Sequence, residues 1–181
     1  MSSSATHTLI VDAGHTRIKF ALCEHPANEP LPLVREHVAP MAEGAIPWDE
    51  IITWTTDLTA PPQTLITGSS PKSIEQVLGQ WPKGLNAARK LVDRTQLPII
   101  IEVDAPERVG IDRLLTAIAA NKLRAERQTA IVVDSGTAIT VDAIGSSGIF
   151  HGGAILPGVR MGSQALHRYT ATLPEIDAST L

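Results

Sequence analysis

Two stretches of this chain repeat one another. Leu9–Leu22 reads L-I-V-D-A-G-H-T-R-I-K-F-A-L and Ile131–Ile144 reads I-V-V-D-S-G-T-A-I-T-V-D-A-I, so that aspartates at 12 and 134 and glycines at 14 and 136 coincide within matching apolar flanks. Two copies of one supersecondary unit call for two related lobes. Each copy places an Asp-x-Gly between two β-type runs, which makes a hairpin. At such a tip, glycine lets the backbone approach an anion, neighbouring N–H groups and a hydroxyl can cradle phosphate oxygens, and the aspartate can hold a cation. A single Asp-x-Gly is an ordinary turn. Two in register favour a pair of hairpins that grip one polyphosphate. No G-x-x-x-x-G-K-[ST] loop and no G-x-G-x-x-G after a strand is present, which disfavours the other common nucleotide-binding loops.

Around the repeat the pattern is that of an α/β protein. Leu33–Val38 and Thr64–Thr67 read as strands, and Pro98–Val103 as a buried strand. Ser70 and Pro71 are the expected N-cap and first residue of a helix to about Gln80. From Ile111 to Leu123 apolar residues recur at helical spacing. Gly148–Leu156 reads as a strand, and Pro157-Gly158 opens a helix to about Tyr169. Between Pro40 and Pro62 only a short helix near Trp48–Trp54 is expected.

Composition removes several function classes. Nineteen acidic against fifteen basic residues, a net charge of −4, argue against a partner held by phosphate-backbone contacts, and the two Phe, one Tyr and three Trp are scattered. No nucleic-acid partner is expected. One cysteine, Cys23, reads as an apolar filler, and the histidines have no zinc-ligand spacing. The opening M-S-S-S-A-T-H-T has no basic and apolar leader pattern, and no 18-residue apolar run follows. The expectation is a cytoplasmic protein without a membrane partner.

Four motifs, D-A-G-H-T-R-I-K at Asp12–Lys19, G-I-D-R at Gly110–Arg113, D-S-G-T-A-I-T at Asp134–Thr140 and G-G-A-I-L-P-G at Gly152–Gly158, stand in the order of a known family. The chain resembles the type III pantothenate kinases, members of the superfamily of acetate kinase, sugar kinases and actin. The resemblance implies duplicated ribonuclease H-like (actin-like ATPase) lobes with mixed sheets and flanking helices, over 1–109 and 110–181, the second lobe incomplete. It implies transfer of the γ-phosphoryl group of ATP to pantothenate, giving 4′-phosphopantothenate, the first step of coenzyme A synthesis, in a homodimer. Asp12, Ala13, Gly14, His15, Thr16, Arg17, Ile18 and Lys19, with Thr137, are implied to contact ATP. Gly110, Ile111, Asp112 and Arg113 are implied to bind pantothenate, with Asp112 as general base. Asp134 is implied to hold K⁺ or NH₄⁺, with Mg²⁺ accompanying ATP. Gly152, Gly153, Pro157 and Gly158 are implied on the adenosine side. Chemistry agrees: phosphoryl transfer needs positioning and charge neutralisation, and the guanidinium fork of Arg113 suits a carboxylate substrate.

Three departures are visible. His15 replaces the family's usual asparagine; either side chain can donate a hydrogen bond and accept a left-handed backbone. Val103 and Ala105 stand where the family has tyrosine and asparagine. Beyond Leu173–Ile176 the family continues with a G-x-T motif, a helix and further strands, so an exposed sheet edge and apolar surface are expected. A catalytically impaired nucleotide-binding or regulatory relative is the alternative that these departures raise.

Overall fold

The computed structural model describes residues 6–176. The chain divides into two units, one running to Gln96 and taking in Gly110–Asp112, the other holding Leu97–Val109 and continuing from Arg113.

The first unit is a five-stranded mixed sheet. Strands β1 (Thr6–Ala13), β2 (Ile18–His25), β3 (Leu33–Val38), β4 (Gln63–Thr67) and β5 (Arg89–Lys90) lie in the order β3-β2-β1-β4-β5. Strand β2 is antiparallel to both its neighbours, whereas β4 is parallel to β1 and β5 to β4. This is the strand order and polarity of a ribonuclease H-like lobe. Leu9, Val11 and Ala13 on β1 and Ile18 and Phe20 on β2 alternate inward, as period-two patterning dictates, and join Ile51, Ile66 and Val77 in the core. Helices α1 (Trp48–Thr53) and α2 (Pro71–Gly79) contribute Ile51, Ile74 and Val77. Cys23 is buried, as expected.

The second unit contains an antiparallel sheet of β6 (Ala130–Ser135), β7 (Ala138–Ile144) and β8 (Phe150–Pro157), with α3 (Ile111–Leu123, of which this unit takes the part from Arg113) and α4 (Val159–Tyr169). Leu114 and Ala117 of α3 pack with Val109, Ile144 and Phe150, joined by Ala130 and Val132.

Two expectations are corrected. Pro98–Val103 is not a buried strand: Ile101 makes a single parallel bridge to Phe150, and Ile100 is 64% exposed. The fifth strand of the first sheet is instead Arg89–Lys90. The run is apolar because alternate residues, Ile99, Ile101 and Val103, pack on the second unit's core; periodicity alone does not distinguish that from burial on both sides.

The second correction concerns the repeat. In the first hairpin Asp12 lies opposite Lys19; in the second Asp134 lies opposite Thr140, one residue closer along the chain. A one-residue change of pairing turns a strand over. Leu9 and Val11 are therefore fully buried, while their counterparts Ile131 and Val133 are 65% and 63% exposed. Ile155 and Leu156 of β8 are exposed as well.

Candidate active site

The first motif forms the β1–β2 hairpin tip. Asp12 and Ala13 end β1, Gly14–Arg17 turn the chain, and Ile18 and Lys19 open β2. The Gly14 N–H donates to the Arg17 carbonyl (3.0 Å) and closes the loop. A second segment holds it from outside: the Ala42 N–H donates to Thr16 O (2.9 Å), the Ile18 N–H to Pro40 O (3.0 Å), and the Arg17 guanidinium to Ala39 O (3.0 Å). Lys19 Nζ reaches Asp12 Oδ2 at 3.1 Å across the two strands. Both groups are partly exposed, so the pair contributes at most about 1 kcal/mol to stability. Ala13 and Ile18 are fully buried, so these two can meet a ligand only through backbone. His15 lies on the surface with Nδ1 3.4 Å from Ser69 Oγ.

The third motif forms the second hairpin tip. The Gly136 N–H donates to Ala138 O (3.0 Å), two residues on, where the Gly14 N–H reaches three residues on to Arg17 O. Asp134 is exposed on β6. The fourth motif meets this tip: the Gly158 N–H donates to Thr137 O (3.1 Å), and a Cβ at Gly158 would stand 2.3 Å from Gly136 O. Only glycine allows that approach, since real Cβ atoms do not come so close to backbone oxygen. The third and fourth motifs are thus one structural corner of the second unit.

The second motif begins α3. Asp112 is its second residue, where a carboxylate interacts favourably with the helix N-terminus. Arg113 is committed within the protein. Its Nε lies 3.1 and 3.0 Å from the two oxygens of Asp142, its Nη2 also bonds Oδ1, and its guanidinium stands 5.6 Å from the centre of the Phe150 ring. Asp142 is 1% exposed. The fork expected to be open for a carboxylate substrate is therefore occupied by a buried carboxylate of β7. Asp142 was not marked from sequence, although an acidic residue in the apolar run Ala138–Ile144 needs a buried partner.

A cavity of about 480 Å³ opens in the second unit, lined by Glu102, Val103, Asp104, Ala105, Arg108, Val109, Arg113, His151, Gly152 and Gly153. From the Gly110–Arg113 run it takes Arg113. The positions noted as departures, Val103 and Ala105, lie in its wall. His151 Nδ1 is 3.5 Å from Glu102 Oε2, and Arg108, the solvent-facing cation of the wall, has Glu107 at 4.0 Å. Glu102, Arg108 and His151 belong to no motif, so sequence carried no signal for them. Among the described residues no cluster of three or more His, Cys, Asp or Glu could hold a metal ion, and no helix is long and apolar enough to cross a membrane.

A sequence model of the type III pantothenate kinases matches residues 8–181. The chain belongs to that family. A type III pantothenate kinase of Rhodopirellula baltica is 48% identical over 88 residues, 49% of this chain and 32% of that one. Those of Paramagnetospirillum magneticum and Alkalilimnicola ehrlichii are each 31% identical over 178 residues, covering 93% and 94% of this chain and 65% and 66% of theirs. The chain thus spans less than two thirds of the length of these relatives. Among solved structures, the Aquifex aeolicus PPX-GPPA enzyme matches with a TM-score of 0.46 and 8% identity, over 97% of this chain and 60% of that one. Family membership makes the four motifs one set in sequence: two hairpin tips that each bond a glycine N–H inside the turn, the corner behind the second tip, and the start of α3.

Proposed function

We propose that the protein phosphorylates pantothenate with ATP, yielding 4′-phosphopantothenate and ADP at the first step of coenzyme A synthesis. The observation that carries this reading is the family match over 8–181, together with two hairpin tips in each of which the glycine N–H is bonded inside the turn. By resemblance the two lobes are assigned to 1–109 and 110–181, whereas the compact units of the fold place Leu97–Val109 with the second and Gly110–Asp112 with the first. Backbone of Asp12–Lys19, with Thr137, binds the ATP phosphates. Lys19 would offer positive charge there, and the Asp12 carboxylate beside it would be an oxygen donor for a cation that accompanies ATP. Asp112 accepts the proton of the pantothenate hydroxyl as the γ-phosphoryl group is transferred, late in a loose transition state.

Gly110–Arg113 forms the acceptor side. Arg113, locked to Asp142, is a fixed wall of the cavity, and Arg108 supplies the solvent-facing charge for the pantothenate carboxylate. The exposed carboxylate of Asp134 is a hard oxygen donor of the kind that suits K⁺ or NH₄⁺. Such a cation would add positive charge near the transferring phosphates, and Mg²⁺ would accompany ATP. Cytoplasmic location and a homodimer belong to the same reading.

Incubation with ATP, Mg²⁺, K⁺ and pantothenate, with mass-spectrometric detection of 4′-phosphopantothenate, tests it. Product formation that is lost in Asp112→Asn while ATP still binds is expected. Turnover retained in that variant would remove Asp112 from the role of base.

A further inference from the structure

The first hairpin tip is held by a chain of serine hydroxyls that no motif includes. The Ser70 N–H donates to Ala13 O (3.1 Å), and Ser73 Oγ donates to Gly14 O (2.9 Å). Ser70 Oγ accepts from the Ser73 N–H at 3.2 Å and lies 2.9 Å from Ser73 Oγ. All the donors are accounted for if Ser70 donates its hydroxyl proton to Ser73, which donates its own to Gly14. Both serines are buried, so water does not compete. Gly68, at φ 144°, brings the start of α2 this close: a Cβ there would lie 2.2 Å from Ala13 O.

Two successive carbonyls of the tip, those of Ala13 and Gly14, are therefore tied to α2. Across a planar trans peptide the N–H points opposite to the C=O, and no cis bond occurs among the described residues. Fixing Ala13 O directs the Gly14 N–H toward Arg17 O, the bond that closes the loop. Fixing Gly14 O directs the His15 N–H away from α2. The Gly14 N–H is thus engaged within the turn, and the His15 N–H is the one that the Gly14 carbonyl orients outward.

We propose that Ser73, through the Gly14 carbonyl, is a positioning residue for the phosphate-binding loop, setting the peptide plane that aims the His15 N–H at an ATP phosphate. This rests on the assignment of Asp12–Lys19 to ATP given above. A positioning role separates nucleotide binding from stability, because the hydroxyl acts on one peptide plane while the fold rests on the apolar face of α2.

The test compares Ser73→Ala with Ile74→Val, which trims the buried face of the same helical turn and leaves the hydroxyls intact. Calorimetric titration uses a non-hydrolysable ATP analogue and, separately, pantothenate; steady-state kinetics give the two KM values. Losing one hydrogen bond of ordinary strength should weaken analogue binding roughly fivefold to tenfold in Ser73→Ala and raise the KM for ATP alike. Pantothenate binding stays unchanged. Ile74→Val lowers the thermal midpoint and leaves analogue affinity within about twofold of wild type. Equal analogue affinity in Ser73→Ala and wild type, or an equal loss in Ile74→Val, overturns the positioning role while leaving the loop assignment intact. Failure of the wild-type protein to bind the analogue overturns that assignment and this role with it.

Discussion

Removing Arg113 should cost far more stability than a substrate-binding arginine ordinarily does. Its side chain is 14% exposed and Asp142 1% exposed, and both carboxylate oxygens are engaged. Arg113→Ala leaves the Asp142 carboxylate buried and uncompensated, for which about 3–5 kcal/mol is the usual loss. It also removes the stacking of the guanidinium on Phe150, worth about 0.5–2 kcal/mol. Part of this second loss is contained in the first, because the two contacts share one group. A total near 4 kcal/mol is a large share of the 5–15 kcal/mol that a domain of ordinary stability has. Urea unfolding followed by far-ultraviolet circular dichroism measures it. Tryptophan fluorescence is a poor probe here, since Trp48, Trp54 and Trp81 all belong to the first unit. Arg113→Met with Asp142→Leu, which removes both charges, should recover much of the loss, because a buried pair costs nearly as much to desolvate as it returns. A loss below about 1 kcal/mol in Arg113→Ala, with pantothenate binding abolished, would refute this reasoning and return Arg113 to the role of an open carboxylate fork.

Three further outcomes follow from the same geometry. Val11→Thr should destabilise by about 1–3 kcal/mol through a buried hydroxyl, whereas Val133→Thr at the matching repeat position should fall within about 0.5 kcal/mol of wild type; equal costs, read from urea midpoints, would contradict the turned-over strand. Ser70→Ala should cost about 0.5–2 kcal/mol by removing the N-cap of α2, and an unchanged midpoint would show that the cap is dispensable. Burial pushes the Cys23 thiol pKa up. A neutral thiol costs nothing at neutral pH, but as pH rises past the range in which the unfolded thiol ionises, the unfolded state gains and stability falls. Cys23→Ala should flatten that alkaline limb, and native Cys23 should react with a thiol reagent only as fast as the protein opens; prompt reaction in the folded protein would contradict its burial.

Much of this molecule was legible because its elements carry local chemistry. The Asp-x-Gly tips, the Ser70-Pro71 start of α2 and the period of Ile111–Leu123 are short-range patterns, and each element lies where its pattern put it. What escaped was long-range. Ile131 and Val133 are as apolar as Leu9 and Val11, yet a loop shorter by one residue turns them outward, and register is a property of the pair rather than of either strand. Pro98–Val103 looked like a strand because alternate burial of isoleucines in an extended segment needs no ladder. Asp142 and Arg113 are 29 residues apart, and only the fold shows that one fills the fork of the other. The serine chain behind the first tip joins Ser73 to Gly14, 59 positions away, by a contact to backbone that side-chain identity does not encode.

The central claim is transfer of the γ-phosphoryl group of ATP to pantothenate, and following that group tests it most directly. With ATP labelled in the γ-phosphate, Mg²⁺, K⁺ and pantothenate, the label should appear in 4′-phosphopantothenate in equal amount to the ADP formed, and not appear with Asp112→Asn. Label released only as inorganic phosphate, or no consumption of ATP with pantothenate present, would contradict the account.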